Sequence, residues 1–386
     1  MTEKFTTLAV NQLYLENFRN YKNLSLYLPS KPIVITGHNG TGKTNILESI
    51  SLLSPGRGFR NVKLGEIDRK LPGESPMAWK VSALANTIYG PTEIVTFNES
   101  NYTNIRGKRI VKINNQSTKN QGELAEIFSV IWLTPQMDPI FLSSRSNRRK
   151  FLDRLVYNFD IAHASRVVKY ENLLRERSKL LKENKYDSVW MSTIEHNIAE
   201  VAVAIACARV QTIDYLQNAI NNTVSPFPKA KIFIKGDLEL QVNNSPAIQL
   251  EKEFKDKLLS LRSLDFYSNR TNAGIHLSDL LVYHSEKNLE AHLCSTGEQK
   301  AMLLTIILAE ARCRIKRHSS VPVLLLDEVI AHLDENKREA LFSDLLELKA
   351  QVFITGTDAE DFNFLKNKAE FIETETLKNN LNRYKS

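Results

Sequence analysis

Eight residues, Gly37-His38-Asn39-Gly40-Thr41-Gly42-Lys43-Thr44, fit the pattern G-x-x-x-x-G-K-[ST] at every fixed position. Glycines in such a loop let backbone N–H groups turn inward around phosphate oxygens. Lys43 would place a point charge on the β- and γ-phosphates, and Thr44 would offer a hydroxyl to Mg²⁺. A second chemical group lies far away, at Val323-Leu324-Leu325-Leu326-Asp327-Glu328. A carboxylate at the C-terminal end of a buried parallel strand points into the crevice where ligands sit. Asp327 there would hold Mg²⁺ through its water shell, and Glu328 would polarise an attacking water as general base. An acid after a buried strand is also a common cap of the next helix. Two adjacent acids paired with a phosphate loop favour the chemical reading.

Both groups need particular elements behind them. Pro32–Thr36 is a short apolar run before the loop, and Ile46, Leu47, Ile50 and Leu53 form a helical stripe after it. Leu8–Leu15 alternates as a strand, and Trp79–Ile113 holds several short strand candidates with turns at Tyr89-Gly90-Pro91 and Arg106-Gly107-Lys108. They predict a small antiparallel sheet. Ser129–Leu133 reads as another strand, stopped by Thr134-Pro135. Neither Gly nor Pro occurs from Ser144 to Asn222, and long helices are expected over Ala162–Glu183 and Ser188–Asn222. A further helix fits Leu250–Leu261. Later come a strand at Leu280–His284, a helix at Gly297–Lys316, the buried strand Val321–Leu326, a helix at Asn336–Glu347 and a strand at Val352–Thr355. Strand–helix–strand at this spacing is α/β.

Lys43 and Asp327 are 284 positions apart. Something large is therefore inserted between two halves of one nucleotide site. The expected organisation is an α/β lobe over 1–137 and 276–386, with a largely helical second lobe over 138–275.

The chain has 386 residues and a formal net charge of +7. From Ser143 to Lys185 there are twelve Lys/Arg and five acids, a surplus as large as that of the whole chain. Arg145, Arg148, Arg149 and Lys150 stand free of acids until Asp153, which suits contact with a nucleic-acid backbone. Such contacts would position DNA without reading its sequence. A solvated helix face with i,i+4 pairs is the plainer reading for Arg175–Lys185, where acids interleave. A second basic cluster follows the phosphate loop, and Arg60 within it is a candidate contact near a dimer face. No apolar run approaches a membrane span. Cys207, Cys294 and Cys313 form no metal spacing or disulfide framework, and this points to the cytoplasm.

Ser295-Thr296-Gly297-Glu298-Gln299 opens the long helix ahead of the acidic strand. Alone it would read as a capping box. In this position it resembles the signature motif of ABC-type ATPases. Asn17-Phe18-Arg19-Asn20-Tyr21, the phosphate loop, Gly56-Arg57-Gly58-Phe59-Arg60, Asn147–Asp153, Ser295–Lys300 and Leu325–Asp334 together resemble the RecF family of DNA-repair ATPases, relatives of SMC proteins. The likeness runs in order over nearly the whole chain. It implies an ABC-type head that binds ATP and Mg²⁺, dimerises on ATP and hydrolyses it slowly. It also implies DNA as partner, at single-strand gaps and ss/ds junctions, with RecO and RecR, to help load RecA in a cytoplasmic, nucleoid-associated role. Residue by residue, the likeness assigns Ser295, Gly297 and Gln299 to the signature and Asp334 to the D-loop. Gln136 would be the Q-loop glutamine that senses Mg²⁺. One departure is clear. After Val352–Thr355 comes Gly356-Thr357-Asp358 instead of a switch histidine, and His332 lies in the D-loop segment. Thr355 or Thr357 is left to face the γ-phosphate.

Two rivals remain at this stage. An ABC transporter ATPase subunit would need the switch histidine and a shorter helical subdomain. An ATP-gated clamp or scaffold would use hydrolysis only to reset.

Overall fold

The computed structural model describes residues 5–70, 77–99, 108–118, 121–183, 187–331 and 333–380. Arg106, Gly107, Lys185 and His332 lie outside the described residues. The chain divides into two compact units. The first holds residues 1–137, 224–227 and 311–386, and the second holds 138–223 and 228–310. The second unit thus runs on to Glu310 and takes in the Ser295 motif.

The first unit has two main sheets. One is parallel and five-stranded, in the order Glu370–Glu373, Ile33–Thr36, Val352–Thr355, Val323–Leu326 and Val130–Leu133. All four residues of Ile33–Thr36, Val323–Leu326 and Val352–Thr355 are buried, as expected of central parallel strands. Pro322 separates Val323–Leu326 from the short strand Ser320–Val321, so the single strand expected over Val321–Leu326 is broken at its proline. The other sheet is antiparallel and six-stranded, and it includes Ala9–Phe18, Lys80–Thr87, Gly90–Glu99 and Lys108–Ile113. The helix Lys43–Ser51 buries Ile46, Leu47 and Ile50 in one core with Leu13 and Val81 of the antiparallel sheet and Leu325 and Phe353 of the parallel one. The phosphate-loop helix is therefore wedged by apolar burial from both sheets.

The second unit is mainly helical, with Arg145–Tyr157, His163–Glu183, Ser188–Asn221, Ala247–Ser260 and Arg262–Ser268. A three-stranded sheet of Ala230–Lys235, Asp279–His284 and Leu289–Glu290 accompanies them. The core of this unit carries two buried arginines. Arg177 bonds Glu195 and Asp265 at 3.0 and 2.6 Å, and Arg209 bonds Asp153 and Glu239 at 2.8 and 3.0 Å. Buried charges persist only when paired and hydrogen-bonded in this way.

Candidate nucleotide site

The strand Ile33–Thr36 ends at Gly37, and the loop turns into its helix at Lys43. Gly42 has φ 114°, and a Cβ there would sit 2.5 Å from the Tyr21 hydroxyl and 2.6 Å from Asn20 Nδ2. Only glycine permits both that backbone and that approach. Asn20 in turn donates to the Thr41 carbonyl at 3.1 Å and accepts from Asn45 Nδ2 at 2.7 Å. Arg19 grips Glu48 through Nε and Nη2, at 2.9 and 2.6 Å. The Asn17–Tyr21 motif is thus the brace of the phosphate loop. Sequence supplied it only as a family likeness.

Lys43 Nζ donates to the Gly37 and His38 carbonyls, at 2.5 and 3.0 Å. From the other side, Thr374 Oγ1 lies 2.6 Å from Thr41 Oγ1, and Glu375 Oε1 accepts the His38 N–H at 2.8 Å. The edge strand Glu370–Glu373 delivers both, and no sequence motif announced it.

The distant acids meet this loop. Thr44 Oγ1 donates to Asp327 Oδ1 at 3.1 Å, across 283 positions. Thr355 Oγ1 donates to the same oxygen at 2.8 Å and accepts the Glu328 N–H at 2.9 Å. Burial pushes the Asp327 carboxyl above its ordinary range, the Thr355 and Thr44 hydrogen bonds oppose that, and the Glu328 charge adds to it. The Thr44 hydroxyl and the Asp327 carboxylate are oxygen donors of the kind Mg²⁺ takes, with the remaining ligands from phosphate and water. The residues present fit that ion. Glu328 sits at φ 50° and lines a cleft of about 310 Å³ beside Asn39 and Thr357.

Other expected site residues stand as follows. Gln136 is exposed. Asp334 caps the helix Glu335–Glu347, accepting from the Lys337 N–H at 2.9 Å. Arg60 bonds Asn45 and Glu48, both at 3.0 Å, so its guanidinium is committed to the phosphate-loop helix.

In the second unit, Ser295 is exposed at the start of the helix Thr296–His318. Its N–H and hydroxyl both donate to Glu298 Oε2 at 3.0 Å, which is the capping-box geometry. Lys287 bonds the other Glu298 oxygen, and together with the Ser295 bonds this holds the carboxyl down near about 2. A Cβ at Gly297 would meet nothing within 4 Å, and Gln299 turns inward to the Cys294 carbonyl at 2.9 Å.

The basic segment is partly spent internally. Arg148 forms a fork on Asp279, at 2.7 and 2.6 Å, and Arg149 donates to the Ser278 carbonyl at 2.8 Å. Arg177 is fully buried. Arg145 and Lys150 keep exposed heads, Arg145 touching Asp279 only at 3.6 Å.

Sequence reading missed Arg109. It lies in the strand Lys108–Ile113, and no motif marked it. It is buried and donates to the carbonyls of Leu52, Ser54 and Gly56, closing the C-terminal end of the phosphate-loop helix. Burial without a carboxylate partner lowers its pKa to about 10.

A phosphate loop on a parallel sheet, joined by an acidic strand two places away and interrupted by a helical unit, defines an ABC-type P-loop ATPase head. The family described as RecF/RecN/SMC N terminal domain matches residues 9–380. A "DNA replication and repair protein RecF" of Rickettsia bellii is 42% identical over 372 residues, covering 94% of this chain and 98% of its own. A protein of the same name from Mesorhizobium japonicum is 42% identical over 368 residues, covering 94% and 95%. Among solved structures, that of "the recombination mediator protein RecF-ATPrS in RecFOR pathway" superposes with a TM-score of 0.79 at 25% identity, over 93% of this chain and 95% of that one. An Smc head domain of Pyrococcus furiosus shares the fold, with a TM-score of 0.51 at 14% identity, over 98% of this chain and 100% of that one. The chain belongs to the RecF family.

Proposed function

We propose that this protein is an ATP-dependent DNA-binding protein of recombinational repair and replication, acting with RecO and RecR at gaps and ss/ds junctions to help load RecA. The names of its relatives, replication and repair proteins and a recombination mediator of the RecFOR pathway, support that setting. The observation that carries the ATPase part is the Thr44–Asp327 bond, which joins phosphate loop and acidic strand into one site.

In this reading Thr44 and Asp327 hold Mg²⁺, which offsets charge on the β- and γ-phosphates when bound. Lys43 leaves its loop carbonyls for the phosphates, and Glu328 takes the proton of the attacking water. Gln136 would help to hold the Mg²⁺ ion. Ser295 and Gly297 offer a hydroxyl and an amide to the γ-phosphate held by a second copy, and Asp334 serves as the D-loop acid, so ATP joins two chains. For Ser295 to do so, Glu298 must release it. Arg145 and Lys150 are the DNA contacts best supported by exposure, Arg148 and Arg149 support the surface around them, and Arg60 braces the phosphate-loop helix. Turnover is slow and DNA-dependent. The protein works on the chromosome in the cytoplasm. No helix among the described residues is long and apolar enough to cross a membrane.

Sedimentation of wild type and Lys43→Met, with ATP and with a gapped duplex, tests the reading. Dimers are expected only for wild type with ATP. Dimerisation without ATP, or none with ATP and DNA together, would overturn it.

A further inference from the structure

The cleft beside Glu328 poses a charge problem. Its described lining includes the carboxylates of Glu328 and Asp361, and Asn39 of the phosphate loop forms part of its wall. A terminal phosphate entering here would meet two acids. Lys43 answers for the loop side, where its ammonium already lies. Among the described lining residues, Arg338 is the one cation.

No side chain can enter the cleft from position 356. A Cβ on Gly356 would lie 2.5 and 2.6 Å from ring atoms of Phe362. Phe362 is fully buried and packs against Phe342, with ring centroids 5.8 Å apart and the rings tilted by 36°, so it cannot give way cheaply. The end of the strand Val352–Thr355 therefore contributes backbone and the Thr357 hydroxyl to the cleft, and no charge.

Arg338 stands in the first turns of the helix Glu335–Glu347, its N–H bonded to the Asp334 carbonyl. A cation there works against the helix dipole, so the helix itself does not favour it. Its Nη1 bonds Asp361 Oδ1, which fixes the plane of the guanidinium. Its Nε is buried and has no partner. A guanidinium has five donors in a fixed fork, and one carboxylate oxygen leaves most of them unused. A phosphate oxygen is the acceptor that this geometry suits.

We propose that Arg338 is a ligand of the terminal phosphate of the bound nucleoside triphosphate, with Asp361 as its orienting partner. The proposal rests on the nucleotide-site reading above. Arg338 would make the site distinguish a triphosphate from a diphosphate without a charged residue at the end of the neighbouring strand.

The test compares affinities for the β,γ-imido analogue of ATP and for ADP, each with Mg²⁺, on the full chain. In Arg338→Ala the analogue should bind roughly tenfold more weakly or worse, as expected on losing a charge-assisted bond, while ADP affinity stays within about twofold. Arg338→Lys should recover part of the difference. Asp361→Asn should keep the preference for the triphosphate, because the arginine remains and a competing charge is gone. An unchanged triphosphate-to-diphosphate ratio in Arg338→Ala would overturn the proposal and leave the nucleotide site standing. Wild type that binds neither nucleotide would overturn both. If Arg338→Ala does not fold, Arg338→Gln is judged by the same ratio, and equal loss of both nucleotides there would count against the proposal.

Discussion

Thr355 Oγ1 donates to Asp327 Oδ1 across 2.8 Å, and the same oxygen accepts the backbone N–H of Glu328. Both hydrogen-bonding directions of the hydroxyl are thereby spent, so Thr355 ties the two acids together and does not reach a phosphate. Thr355→Val removes both bonds and should cost about 1–3 kcal/mol of transition-state stabilisation, the scale of leaving a buried polar group unsatisfied. Turnover should fall while nucleotide affinity changes little, and Thr355→Ser should restore it. Steady-state kinetics beside equilibrium binding would check this. A valine variant with wild-type turnover would remove Thr355 from the positioning role.

Glu328 holds a left-handed backbone, which costs a side-chain-bearing residue roughly 1–2 kcal/mol. The Thr355 bond stabilises that turn, and the turn sets the carboxylate on the cleft. Glu328→Gln should keep nucleotide binding and dimerisation while lowering hydrolysis about 10²–10⁴-fold, as expected for removing a general base. Single-turnover hydrolysis and sedimentation would read both. A repair assay separates the clamp from the cycling ATPase: a clamp works when locked, and a cycling enzyme fails.

The phosphate loop and acidic strand were legible because their residue types are tied to fixed local spacing. The helices His163–Glu183 and Ser188–Asn221 fall within a residue of the expected bounds, since a long stretch without Gly or Pro leaves few alternatives. Arg145–Tyr157 falls in the same helical stretch from Ser144, but its own bounds were not legible, because its first half is basic and its apolar stripe is short. Arg109 bonds carbonyls 53 to 57 positions away, and Thr355, expected to face a phosphate, instead bonds Asp327 28 positions back; sequence spacing says nothing about such pairs. Arg148 shows the converse. Its charge was legible, but its partner Asp279, 131 positions on, was not.

That pairing changes the DNA experiment. Arg148→Glu would set a carboxylate against Asp279 and should lower stability before it says anything about DNA. Arg145→Glu with Lys150→Glu removes exposed heads instead. The double variant should unfold within about 2 °C of wild type, as surface changes usually do. Its duplex affinity should fall uniformly across sequences, and the salt slope should drop by about 0.9 per lost phosphate contact. An unchanged slope, measured by anisotropy over a salt series, would move the DNA face elsewhere.

The acid stability of the helical unit should depend on Asp153. Burial alone would raise this carboxyl, but the hydrogen bond from His163 and the charge and hydrogen bonds of Arg209 outweigh it and hold it below the usual range. A group depressed in the folded state contributes stability above its unfolded pKa, about 4 for Asp. That contribution fades as pH falls from there through the folded value. Melting followed by helix circular dichroism should therefore steepen in its pH dependence below about pH 4, and Asp153→Asn should flatten that limb while lowering stability near neutrality. Arg209→Ala strands Asp153 and Glu239 together, and should cost about 3–5 kcal/mol, the scale for breaking a buried pair. A small loss in Arg209→Ala, with the acid limb unchanged, would mean that the carboxylates find water or other donors when the arginine leaves.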